Sequence, residues 1–164
     1  MPEITLILGG ARSGKSARAL ALAAPPRAFI ATAEPRDEEM AARIARHRAE
    51  RGGDWALIEA PLDLAGAVAR AEGRTLVIDC LTLWLSNLME AGRSPEAETA
   101  GLLAALARAE APVILVSNEI GLGLAPMEPL SRAFRDEQGR LNQRVAAAAT
   151  RVEFVAAGLP LRLK

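Results

Sequence analysis

Short apolar runs alternate with helical stretches along the whole chain. Ile4–Leu8, apolar except for Thr5, reads as a strand, and Lys15 to about Ala24 as a helix stopped by Pro25-Pro26. Arg27–Ala31 predicts a second strand that leads into the loop Thr32-Ala33-Glu34-Pro35. Asp37 stands where it can cap a helix from Glu38 to about Arg51, and Gly52-Gly53 ends it. Trp55–Glu59 predicts a third strand, Leu62–Ala71 a helix and Thr75–Asp79 a fourth strand. Helices follow over Leu81–Glu90 and Glu96–Glu110, then Pro112–Ser117, which reads as a fully buried strand. Gly121–Pro129 is a loop, and Leu130 to about Thr150 is helical with an interruption at Gly139. Val152–Ala156 and Leu159–Leu163 pair as a hairpin around Gly158.

Strands separated by helices need crossover connections, and strands too uniformly apolar for a wet face need cover on both sides. The expected architecture is a three-layer α/β fold with a mostly parallel sheet of about seven strands and an antiparallel hairpin at its C-terminal edge. Residues 1–164 form a single domain on this reading, with no linker, repeat or low-complexity tail. Such sheets bind ligands at the carboxyl ends of their strands. Gly9–Ser16, Thr32–Glu34, Glu59, Asp79 and Asn118-Glu119 then share one rim.

Composition changes the picture little. A hydrophobic content of 51% supplies a core, and 20 basic residues balance 20 acidic ones. That balance gives no electrostatic case for nucleic acid or a membrane surface. One Cys excludes an internal disulfide, and one Cys with one His cannot build a usual zinc site. The start, MPEITLIL, lacks a basic leader region, and no apolar run approaches the ~18 residues of a membrane span. The expected location is cytoplasmic.

The chemistry begins where the first strand ends. Gly9, Gly10, Ala11, Arg12, Ser13, Gly14, Lys15 and Ser16 spell G-x-x-x-x-G-K-[ST] between a strand and a helix. Gly9 and Gly14 let successive backbone N–H groups turn inward as a nest for phosphate oxygens. The helix N-terminus adds partial positive charge there. Lys15 neutralises the β- and γ-phosphates, and the Ser16 hydroxyl is a Mg²⁺ ligand. Only Lys15 and Lys164 are lysines in this arginine-rich chain, so its one internal ammonium stands at the phosphate position. The fold expectation narrows to the P-loop NTPase class, RecA-like in type.

Asp79 ends a buried strand, where such proteins hold the Mg²⁺ shell, although a carboxylate there can also cap the next helix. His47, the only histidine, shares a helix face with Met40, Ile44 and Arg51. Arg43, Arg46, Arg48 and Arg51 crowd that helix, which suits an anion between them and favours the neutral, nucleophilic imidazole. A solvated face with Glu38, Glu39 and Glu50 as partners is the other reading, and the residues alone leave both open. Cys80 is expected to be buried and inert, and Trp55 and Trp84 to be core. Asn118-Glu119 stands at a sensor or substrate position, or forms a turn.

The segments GGARSGKS, FIATAEPRDEEMAARIARHRAER, VIDCLTLWLSNL, VSNEIGLGLAPMEPLSRAFRDEQGRLNQRVA and GLPLRLK together resemble one family. It is that of the bifunctional adenosylcobinamide kinases and adenosylcobinamide-phosphate guanylyltransferases of cobalamin assembly. The resemblance spans essentially the whole chain. It implies that ATP or GTP phosphorylates adenosylcobinamide, and that GTP then donates GMP through a histidine–GMP phosphoramidate to the new phosphate. By matching position, His47 is the nucleophile, with Lys15 and Asp79 also catalytic. Gly9 to Ser16, Thr32, Ala33, Glu34, Arg48, Ala49, Glu50, Arg51, Glu59 and Asp79 contact nucleotide or metal, Ser16 and Asp79 being the Mg²⁺ ligands. A homotrimer with sites near subunit boundaries is implied as well. One departure is visible: the family often has Pro after the arginine matching Arg51, where this chain has Gly52-Gly53. A one-step P-loop small-molecule kinase with a structural His47 is the alternative. A motor acting on a macromolecule lacks its expected basic stripe.

Overall fold

The computed structural model describes residues 2–164. The strands are β1 Ile4–Gly9, β2 Arg27–Ala31, β3 Trp55–Glu59, β4 Thr75–Asp79, β5 Val113–Asn118, β6 Arg151–Ala156 and β7 Leu159–Arg162. The helices are α1 Lys15–Leu22, α2 Glu38–Arg51, α3 Leu64–Ala69, α4 Leu81–Glu90, α5 Pro95–Ala107 and α6 Pro129–Ala148. All strands join one sheet in the order β3-β2-β4-β5-β1-β6-β7, parallel throughout except for the β6–β7 pair.

Alternation along each strand divides the core in two. Leu6, Ile30, Ile78 and Leu115 face α3 to α6, where Leu64, Trp84, Leu102 and Leu141 meet them. Trp84 is fully buried, and its indole N–H donates to Leu62 O at 2.7 Å, so the ring is packed and its polar atom satisfied. Ile7, Phe29, Val77, Ile114 and Val116 face the other way, against Ala19 and Ala23 at α1. Trp55 lies at the margin of this second cluster, half-buried, edge-on to Phe29 at 6.1 Å between ring centroids.

The cover is unequal, and here the expectation of a dry sheet fails. At the edge strand β3, Ala56, Leu57 and Glu59 are exposed, Leu57 by 40%. The physical reason is α2, whose fourteen residues include none that is buried. Its charged sequence offers only the half-buried stripe Met40, Ile44, His47 and Arg51. It therefore stands over the strand ends instead of sealing β3 from water.

Helix ends differ from the sequence reading where a cap decides them. Asp63 accepts the Gly66 N–H at 2.8 Å, so α3 starts after Leu62, and the Ser94 cap starts α5 at Pro95, one residue before the expected Glu96. Gly52 ends α2 at φ +79°, an angle proline cannot take, so the departure at this position is a helix stop. Gly139 does not interrupt α6. Gln138 and Asn142 on either side of it are buried and bonded to Ser117, Gln138 at 2.9 Å and Asn142 at 2.7 Å. This network offsets the ~1 kcal/mol that a mid-helix glycine costs.

Candidate active site

The loop from Gly9 to Ser16 leaves the end of β1, flanked in register by Asn118 of β5 and Val155 of β6. Gly14 takes φ +103° directly before α1, and no side chain caps the helix. The first-turn N–H groups are thus left for a ligand. A Cβ on Gly9 would lie 2.5 Å from Val155 O and 2.6 Å from Ser13 Oγ. One on Gly14 would lie 3.1 Å from Gly158 Cα. The β6–β7 turn braces the loop further, Gly158 N–H donating to Ser13 O at 2.7 Å. The result is a rigid backbone cradle of the kind that phosphate groups fit.

Lys15 is buried beside it, its ammonium donating to Gly10 O and lying 3.5 Å from Ser13 Oγ. Burial pushes its pKa below the ordinary lysine value, opposed by Cys80 and Asp79. An anion in the cradle offsets that desolvation.

Asp79 closes β4 directly ahead of α4. The cap of α4 is Cys80, whose Sγ accepts the Leu83 N–H at 3.5 Å, so Asp79 is free of that duty. Its Oδ2 accepts instead from the Ser16 hydroxyl at 2.6 Å. One carboxylate and one hydroxyl, both hard oxygen donors, match Mg²⁺, which takes its remaining ligands from water and substrate phosphate. Cys80 is buried as expected, and burial, with Asp79 next to it, pushes its thiol up to about 12. It stays protonated and is no nucleophile.

Across the rim, α2 is tied down at few points. Asp37 accepts the Met40 N–H at 2.7 Å as its cap. Arg51 lies over the Phe29 ring at 3.9 Å, and Arg48 reaches Glu59 at 3.9 Å. Burial lowers the Arg51 pKa, Arg48 lowers it further, and Asp79 opposes both. His47, Glu50, Arg51, Phe29, Ser16 and Asp79 line one cavity of about 340 Å³. An adjoining cavity of about 310 Å³ also contains His47, Arg48, Arg51 and Asp79, with Ala33, Leu57 and Glu59. The lone histidine and the Ser16–Asp79 pair therefore face shared space.

Other predicted residues sit differently. Thr32 is fully buried; its hydroxyl donates to Cys80 O at 2.8 Å and accepts the Cys80 N–H at 2.9 Å. It holds the chain that presents Asp79. Glu34 is exposed and pairs with Arg36 at 3.2 Å, while Ala11, Arg12 and Ala49 are exposed and line neither cavity. Asn118 ends β5 on the Val116 face, which is also the Asp79 face. Its N–H donates to Thr82 Oγ1 at 2.9 Å, and its carbonyl accepts from Asn142 at 3.2 Å. Sequence reasoning missed Phe29, although strand alternation from Ala31 gives its face. It also missed the Gly158 brace, for which no local signal exists.

Comparison with known proteins matches the chain to a family. Residues 5–163 fit the family described as cobinamide kinase / cobinamide phosphate guanyltransferase. The bifunctional adenosylcobalamin biosynthesis protein CobP of Pseudomonas aeruginosa is 49% identical over 97% of this chain and 96% of its own. The bifunctional adenosylcobalamin biosynthesis protein CobU of Salmonella typhimurium is 39% identical over 97% of this chain and 98% of its own. Among solved structures, the flagellar accessory protein FlaH of Methanocaldococcus jannaschii has a TM-score of 0.52 at 11% identity, covering 99% of this chain and 78% of that one. A KaiC-like protein of Pyrococcus horikoshii has 0.51 at 16%, covering 93% and 70%. These two likenesses speak to fold alone, the P-loop NTPase fold expected from the first strand and its loop. With the match running almost end to end, the chain belongs to the cobinamide kinase / cobinamide phosphate guanyltransferase family.

Proposed function

We propose that this chain, as one domain over residues 1–164, carries out both half-reactions on adenosylcobinamide in the cytoplasm, as a homotrimer. In the first, the aminopropanol hydroxyl attacks the γ-phosphorus of ATP or GTP. The bond to the β-bridging oxygen breaks, and the nucleoside diphosphate leaves with loss of the hydroxyl proton. In the second, the His47 imidazole attacks the α-phosphorus of GTP and expels pyrophosphate. A phosphate oxygen of adenosylcobinamide phosphate then displaces His47 from the GMP, giving adenosylcobinamide-GDP.

The observation that carries this reading is the cavity shared by His47, Ser16 and Asp79. Gly9 to Ser16 cradle the phosphates in either step. Lys15 and Arg51 stabilise charge as it moves to the leaving group, in a partly desolvated site where such contacts are strong. Ser16 and Asp79 are the residues to hold Mg²⁺, which supplies Lewis-acid polarisation of phosphate oxygens when bound. Arg48, Glu50 and Glu59 border the nucleotide, and Phe29 offers a buried apolar wall beneath Arg51.

GTP labelled at the α-phosphorus tests the covalent step. Acid-labile, alkali-stable label on the wild type, lost in His47→Ala while cobinamide phosphorylation persists, is the expected result. A wild type that takes no label returns the protein to a one-step kinase, and a folded His47→Ala variant that still takes it removes His47 as the nucleophile.

A further inference from the structure

A second concavity opens on the same rim, away from His47. The helix α6 passes the end of β5 at Asn142, so Leu130, twelve residues earlier, stands about 18 Å further along the helix axis. Between this projecting half of α6 and α4 lies a groove of about 520 Å³ walled by Met89, Ile120, Pro126, Leu130 and Phe134. The loop above it exposes Leu122 by 82%, Leu124 by 98% and Met127 by 96%. A patch of this kind on a charged surface marks a binding site. The groove is one residue from the phosphate loop: Glu119 N–H donates to Gly9 O at 3.0 Å, and Ile120 is already part of the wall. Glu119 also accepts the Gly121 N–H at 2.6 Å, and Arg135 donates to Gly121 O at 3.1 Å, which holds the mouth in shape.

We infer that this groove binds the corrinoid body of the acceptor, an inference that rests on the reaction proposed above. The chemistry of the two concavities separates their ligands. The His47 side carries arginines and carboxylates and suits a nucleotide. The α4–α6 groove has apolar walls for the face of a large, flat macrocycle, while Ser86, Glu90, Ser131 and Arg135 fringe it. These polar groups can hydrogen-bond the amide arms of a corrinoid without being buried unpaired. The alcohol-bearing arm then passes Ile120 to reach the terminal phosphate from the side opposite His47.

Equilibrium dialysis of the full-length protein with dicyanocobinamide, read by corrinoid absorbance, tests this with Leu130→Ser and Phe134→Ala. Each is expected to weaken corrinoid binding by about tenfold through loss of apolar contact. Labelling of His47 by GTP, which needs no corrinoid, is retained, and light scattering shows an unchanged assembly. Leu130 is exposed, so its variant reads the groove even where Phe134→Ala unfolds. Unchanged corrinoid affinity overturns the groove assignment. Weakened binding that comes with a dissociated assembly also overturns it, since the groove is then a contact between copies. A wild type that takes up no cobinamide at all sinks the functional reading, and the groove with it.

Discussion

The phosphate loop and the helix that carries His47 meet across one cavity, yet they are built in opposite ways. The loop is braced at both of its ends, although Ala11 and Arg12 between them are exposed. β1 lies between β5 and β6, the β6–β7 turn bonds Ser13, and the space at Gly9 admits no side chain. By contrast, α2 buries none of its residues and is held by a cap, one cation–π contact and one long ion pair. The difference matches the demands of the two half-reactions. Both need the triphosphate in one place, and a stiff backbone cradle supplies that without reorganisation. In the proposed mechanism only one needs the imidazole, and a lightly attached helix can present it to the α-phosphorus without obstructing the other.

Removing the cradle's charge is the strongest test of this contrast. Lys15→Ala should cut both half-reactions by about 10²–10³-fold, measured separately with cobinamide and with cobinamide phosphate. An effect on one reaction alone breaks the idea of a shared cradle. Crowding the loop comes next. Gly9→Ala should cost about 2–3 kcal/mol in denaturant unfolding, because backbone at Val155 O has to move.

Glu153 tests the platform beneath the cradle. Its side chain is 2% exposed and accepts from Arg18 at 2.8 Å and also from Arg151. Those bonds, Arg18 first, hold its carboxyl below the usual carboxylate range against the opposing effect of burial. The unfolded chain therefore binds the proton more readily, so the stabilisation is complete above the unfolded pKa of about 4.3. It is lost as pH falls through the lower folded value. Glu153→Gln should lose about 2 kcal/mol at neutral pH, both arginines being partly exposed, and the gap to wild type in thermal unfolding should close in acid.

The smallest effect belongs to α2. Asp37→Ala removes ~1 kcal/mol of capping and should slow GMP transfer about fivefold while phosphorylation changes less than about twofold. Equal losses in both reactions, by steady-state assay, mean that α2 is not specific to one of them.

Much of this was legible in local chemistry. The Asp37 cap, the start at Glu38 and the stop at Gly52 are legible in the sequence, because caps and stops act over a few positions. The stripe Met40, Ile44, His47 and Arg51 followed from helical spacing, and it is the half-buried face. Gly139 misled because propensity is local, whereas the Gln138–Ser117–Asn142 network beside it in the unbroken α6 joins a helix to a distant strand. Thr32 was read as a ligand contact, and its hydroxyl is engaged by Cys80.

By itself, then, the chain determined its strand and helix content, the Gly9–Ser16 turn with its lysine, and the face on which His47 lies. Each is set by backbone preference and side-chain periodicity over one or two turns. Only the folded arrangement decided that Gly158 closes the cradle, that β3 stays open under α2, and that α6 overhangs the rim. Those depend on strand order and on contacts between residues far apart along the chain, which no local pattern encodes.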